Sequence, residues 1–175
     1  MSRVTSIEEL SNLKSKIETE RKFTKQVLIC GGTGCISSGS NEIADKMTEK
    51  VKAAGKENEI RVIKTGCFGF CEKGPIVKML PDNIFYTEVT PEDADRLVET
   101  HLLKEEKIEE LLFVDPVTKN KISDSDHMDF YKKQERVALR NCGVIDPENI
   151  EDYLLHDGYT ALDKVLKMSQ QEVVD

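Results

Sequence analysis

Four of the five cysteines in this 175-residue chain fall in two glycine-bordered pairs, CGGTGC at positions 30–35 and GCFGFCEKG at positions 66–74. The spacing is C-x4-C from Cys30 to Cys35, thirty-one intervening residues, then C-x3-C from Cys67 to Cys71. Four such thiols could form disulfides, grip a zinc ion, act as a redox dithiol, hold an iron–sulfur cluster, or be buried separately as small hydrophobes. Zinc knuckles use C-x2-C, because two thiolates then reach one tetrahedral ion from a tight turn, and a catalytic dithiol needs the same spacing at a helix N-terminus. Both gaps here are wider. A two-iron cluster spreads its ligands further, and its C-x4-C step occurs in the plant-type ferredoxin pattern, although the C-x2-C that follows there does not.

The glycines bear on charge. A [2Fe-2S] cluster held by four thiolates is a dianion when oxidised, and backbone N–H groups aimed at its sulfurs stabilise it. Gly31, Gly32, Gly34, Gly66 and Gly69 let the backbone come close, and two glycine-rich loops at strand ends can form concave N–H nests. The pattern favours a [2Fe-2S] cluster over a zinc site, a dithiol or independent burial.

Thiols thirty residues apart need elements that carry them to one place. Gln26 to Ile29 is an apolar run ending at Cys30, and EIRVIKT at 59–65 runs into Cys67, so each pair should begin where a strand leaves a sheet. Between them, Ile43, Met47 and Val51 mark a helix that Gly55 can end in a left-handed conformation. PIVKML and NIFYTEV read as strands joined by a Pro81-Asp82-Asn83 turn, and TPEDADRLVETHLL as a helix with Thr90 as N-cap, Pro91 first and Leu97 and Leu102 inward. Upstream, Ile7, Leu10, Leu13 and Ile17 mark an amphipathic helix with a Ser6/Glu9 capping box. The order α-β-α-β-β-α is the thioredoxin-like arrangement, an α/β sheet with helices on both faces. The expected organisation is an N-terminal helix over 1–25, the thioredoxin-like domain over 26–103, and an acidic, mainly helical extension over 104–175. That extension has helices in DPENIEDYLLHDG and YTALDKVLKM.

Composition narrows the classes of function. Residues are 38% hydrophobic and 33% charged, no apolar run approaches the roughly 20 residues of a membrane span, and the first residues lack the apolar core of a signal peptide. The expectation is a cytoplasmic protein, where thiols stay reduced and clustered cysteines favour metal over disulfide. Basic and acidic residues number six and four in 1–25, eight and eight in 26–90, and eleven and twenty-one in 91–175. No basic stripe offers a nucleic-acid surface, and no G-x-x-x-x-G-K-[ST] loop offers a nucleotide site. Cys142 reads as a structural cysteine, His101, His127 and His156 as surface or capping residues, and Lys73 as a solvated lysine whose charge could reach the cluster.

At CGGTGC, GCFGFCEKGPIV and FYTEVTPEDADRLVETHLL the sequence resembles the thioredoxin-like [2Fe-2S] domain of the flavoprotein subunit of NADP-reducing and electron-bifurcating iron-only hydrogenases. Those subunits are relatives of the NADH-binding flavoprotein of respiratory complex I. FYKKQERVALRNCGVIDPENIEDYLLHDGYTALDKVL resembles the start of that flavoprotein core. The resemblance implies that Cys30, Cys35, Cys67 and Cys71 ligate one [2Fe-2S] cluster that relays electrons to other subunits of a hydrogenase or NADH dehydrogenase-like complex. It also implies that FMN, NAD(P) and a [4Fe-4S] cluster belong to a missing downstream part. These residues would then be a fragment or a split gene product with no complete catalytic site. The competing expectation is a zinc-stapled interaction module of a redox complex.

Overall fold

Val27, Leu28 and Ile29 are each buried, as a central strand covered on both faces requires. They lie in β1 (Lys25–Cys30) of a computed structural model that describes Val4 and residues 6–175. β1 runs parallel to β2 (Ile60–Thr65), with Cys30 opposite Thr65. On its other side it pairs antiparallel with β3 (Val77–Leu80), which pairs antiparallel with β4 (Ile84–Tyr86). The strand order is β2-β1-β3-β4.

A parallel neighbour demands a crossover. Residues between β1 and β2 supply it as a short α2 (Thr33–Ser37) and α3 (Ser40–Ala53), which buries Ile43, Ala44, Met47 and Val51 against the sheet. Gly55 follows with φ 66°, the left-handed stop expected of it. After β4 the chain enters a 3-10 turn (Pro91–Asp93) closed by a Thr90/Asp93 capping box. It continues through α4 (Ala94–Arg96) into a π turn (Leu97–Leu102) that buries Leu97, Val98, His101 and Leu102. These helices and one face of the sheet share a core with Val27, Ile29, Met79 and Tyr86. The opposite face carries a second core of Leu28, Ile63, Ile76, Phe85 and two of the cysteines, Cys30 and Cys35.

The chain forms two compact units, the N-terminal residues through Lys22 with Asp146–Asp175, and Phe23–Ile145. The sheet unit therefore extends past residue 103, where the sequence suggested a boundary. Its edge strand β4 would otherwise leave backbone groups unpaired. Phe85 N–H donates to Ser123 O at 2.7 Å and Thr87 N–H to Leu111 O at 2.9 Å. Ile108 and Leu112 complete the first core, and Phe113 and Met128 the second. This stretch holds a two-stranded ribbon, β5 (Phe113–Val114) and β6 (Lys121–Ile122), and α5 (Asp129–Lys132).

In the other unit α1 (Ile7–Glu20) packs with α6 (Ile150–Leu155), followed by α7 (Thr160–Leu166) and α8 (Gln170–Val174). Ser6 Oγ accepts the Glu9 N–H at 3.1 Å, starting α1 where the sequence placed it. Among the described residues no helix is long and apolar enough to cross a membrane.

Candidate metal centre

Parallel strands put both carboxyl ends side by side, and that is where the four thiols gather. Cys30 is the last residue of β1. The chain then turns into α2, which carries Cys35, while the loop after β2 carries Cys67 and leads into a 3-10 turn opening with Cys71. Gly31 N–H donates to Thr65 O at 2.9 Å and ties one loop to the other, and Cys30 N–H donates to Ile76 O at 3.0 Å.

None of the cysteines is in a disulfide. The Cys67 and Cys71 sulfurs are 4.0 Å apart, and the Cys35 thiol is hydrogen-bonded with Cys30 and lies within electrostatic reach of Cys67. Cys30 and Cys35 are buried, Cys67 is half-buried and Cys71 is exposed. Gly69 N–H donates to Cys67 Sγ at 3.2 Å. A Cβ at Gly32 would stand 3.0 Å from Cys67 Sγ and 3.5 Å from Cys30 Sγ, and one at Gly74 only 2.5 Å from Cys35 Sγ. Glycine thus keeps open a cradle lined with sulfur, and this donor set fits an iron–sulfur cluster. Among the described residues no group of three or more His, Cys, Asp and Glu side chains is arranged to hold a single metal ion.

Charge points the same way. Burial, reinforced by the hydrogen bond with Cys30, pushes the Cys35 thiol up to about 12, and the hydrogen bond with Cys67 raises Cys71. Four thiolates brought this close need positive charge among them, which the ferric ions of a cluster supply.

The loop between Cys67 and Cys71 is held from outside by residues that the sequence did not single out. Tyr131 O–H donates to Phe68 O at 3.1 Å, the Arg136 guanidinium donates to the same carbonyl, and that guanidinium lies 5.3 Å from the centroid of the Tyr131 ring. Gly143 N–H donates to Thr65 Oγ1 at 3.1 Å, and Thr65 Oγ1 donates to Ile145 O at 2.6 Å. Half-buried Cys142 packs against Gly66, where a Cβ would stand 3.0 Å from its sulfur. In the sequence Cys142 reads only as a structural cysteine, and the turn beside it, in which Gly143 takes φ 80°, goes unread.

Of the three histidines, His101 departs from the surface reading. It is buried, with Nδ1 2.6 Å from Tyr86 Oη and Nε2 3.3 Å from Asp82 Oδ2. His127 is exposed beside Asp124 at 3.0 Å. Lys73 lies 3.5 Å from Glu88, so its charge is already paired.

Sheet order, crossover helix and a glycine-bordered set of thiols define the class, an iron–sulfur electron carrier of thioredoxin topology. The chain belongs to the thioredoxin-like [2Fe-2S] ferredoxin family, which matches residues 3–102. It is 36% identical over 77 residues to a 2Fe-2S ferredoxin of Clostridium pasteurianum, covering 44% of this chain and 76% of that one. The 2Fe-2S ferredoxin of Aquifex aeolicus is 38% identical over 79 residues, 45% of this chain and 71% of its own. A crystal structure of the thioredoxin-like [2Fe-2S] ferredoxin from Aquifex aeolicus aligns with a TM-score of 0.48 at 31% identity, over 53% of this chain and 99% of that one. Beyond free-standing ferredoxins, the NADP-reducing hydrogenase subunit HndC of Solidesulfovibrio fructosivorans is 61% identical over 44 residues, 25% of this chain and 9% of that subunit. Family membership gives this chain a [2Fe-2S] cluster and ferredoxin-type electron transfer.

Proposed function

We propose that Cys30, Cys35, Cys67 and Cys71 hold the cluster, and that the chain relays single electrons within an NAD(P)H-linked hydrogenase or NADH dehydrogenase-type complex. The observation that carries the ligand assignment is the gathering of these thiols at the carboxyl ends of β1 and β2. A [2Fe-2S] cluster accepts and releases one electron. The chain's own residues divide the remaining work. Cys30 and Cys35 are buried and anchor the centre to the second core, whereas Cys71 is exposed and gives the shortest route to a docked partner. The Gly69 N–H bond to Cys67 Sγ stabilises negative charge on that sulfur. Flavin and nicotinamide chemistry belongs in this reading to the downstream flavoprotein part that the resemblance implies, outside these residues, and the hydrogenase context is supported by the short, high-identity match to HndC.

Anaerobically purified protein should contain about two irons and about two acid-labile sulfides per chain. Dithionite should produce the low-temperature paramagnetic signal of one unpaired electron. Alanine at any of the four positions should deplete the cluster, and Cys142→Ala should not. Stoichiometric zinc without sulfide would instead establish the zinc-stapled module. The relay is tested by mixing the reduced protein with a flavoprotein subunit of this class, and its failure to reoxidise would remove that assignment.

A further inference from the structure

We propose that Arg136 sets the reduction potential of the cluster by holding an unpaired positive charge against the Cys67–Cys71 loop. The proposal rests on the four-cysteine assignment. Arg136 lies outside the segment that the ferredoxin family matches, in the stretch that follows α5, yet its guanidinium donates to Phe68 O, one residue beyond Cys67. It also lies against Gly69, where a Cβ would stand 2.8 Å from Arg136 Nη2, and Gly69 is the residue whose N–H bonds Cys67 Sγ at 3.2 Å. The cation therefore sits on the backbone that grips the sulfur. Tyr131 fixes it there, lying under the guanidinium at 5.3 Å and donating its own hydroxyl to the same carbonyl at 3.1 Å.

Two features make this charge effective. Among the described residues Arg136 makes no ion pair, whereas Lys73, the nearest cation in sequence to Cys71, lies 3.5 Å from Glu88. Arg136 is also half-buried, so salt screens it less than a free surface charge. A guanidinium stays protonated throughout the working pH range. When the cluster takes one electron its negative charge grows by one with no proton taken up, and a fixed cation nearby favours the reduced form more than the oxidised form.

The test is a redox titration of the cluster-loaded protein against mediator dyes, followed by its visible spectrum. Arg136→Gln should lower the equilibrium constant for reduction roughly tenfold, equivalent to about 59 mV for one electron. Arg136→Met should do the same while keeping an aliphatic stem over Tyr131. Arg136→Lys should recover most of the shift, and Lys73→Gln should move the potential less than Arg136→Gln does. A fully loaded Arg136→Gln protein with the wild-type potential overturns the proposal. So does loss of the cluster from Arg136→Gln and Arg136→Met, whether or not Arg136→Lys retains it, because the side chain then serves assembly. Failure of the four-cysteine assignment itself is distinguishable, since the wild-type protein would then contain no acid-labile sulfide.

Discussion

Gly32, Gly34 and Gly74 stand close together around α2 and the second cysteine pair, but their surroundings separate them. A Cβ at Gly74 would come within 2.5 Å of Cys35 Sγ, and Cys35 is buried, whereas nothing lies within 4 Å of a Cβ at Gly34. Gly74→Ala should therefore cost about 1–3 kcal/mol by overpacking and sharply reduce the iron and sulfide bound per chain. Gly34→Ala, inside α2, should leave the cluster intact and add about 0.5–1 kcal/mol to stability by restricting the unfolded chain. Metal analysis paired with urea unfolding checks both, and equal cluster loss in the two variants would refute the cradle. From the sequence Gly34 counts among the glycines that let the backbone come close and Gly74 is passed over, because the difference between them depends on a sulfur thirty-nine residues away from Gly74 in the chain.

Elements differ in how far their own residues announce them. The strands ending at Cys30 and ahead of Cys67, the stop at Gly55 and the Thr90 cap were legible because each depends on neighbours a few residues away. β5 and β6 have two residues each and no periodicity to read, and they form because β4 offers an edge. The π turn at Leu97–Leu102 was likewise invisible, although it places His101 inside the core. There Tyr86 Oη, which accepts the Ile108 N–H at 3.1 Å, lies 2.6 Å from His101 Nδ1, and because the Asp82 carboxylate faces Nε2 at 3.3 Å, a neutral imidazole carries its proton on Nε2 and accepts the tyrosine hydroxyl at Nδ1. Burial lowers its pKa below 6.5 despite the opposing pull of Asp82. Around and below pH 6.5 the unfolded chain binds a proton that the folded chain refuses. The contribution of His101 is thus fully present above that pH and falls as the pH drops through it towards the folded value. Urea midpoints of the wild type should fall in that window by at most about 1.4 kcal/mol per pH unit from this group. His101→Gln, which retains an acceptor for Tyr86, should flatten the slope, and an unchanged slope would assign the pH dependence elsewhere.

At the scale of the whole chain, the division into units follows packing more than sequence order. An N-terminal helix and a helical C-terminal stretch were both foreseen, but nothing local in either shows that α1 packs with α6, because that pairing joins residues some 130 positions apart. Its polar anchor is Arg21, 2.6 Å from Asp152 Oδ1, with the Asp152 side chain only 3% exposed. Asp152 also accepts the Asp146 N–H at 2.8 Å, which fixes the chain's entry into α6. Removing the arginine takes one charged partner from a buried carboxylate, a loss of up to about 3 kcal/mol that should accelerate amide exchange in α1 and α6 by up to roughly a hundredfold. The thiol cradle draws its residues from the other unit, between Cys30 and Gly74. Arg21→Met should consequently loosen the helical unit while leaving exchange in β1 and β2, and the visible spectrum of the cluster, as in the wild type. Hydrogen exchange resolved by peptide, read beside that spectrum, decides it: loss of protection in both units together would mean that the chain unfolds as one cooperative body.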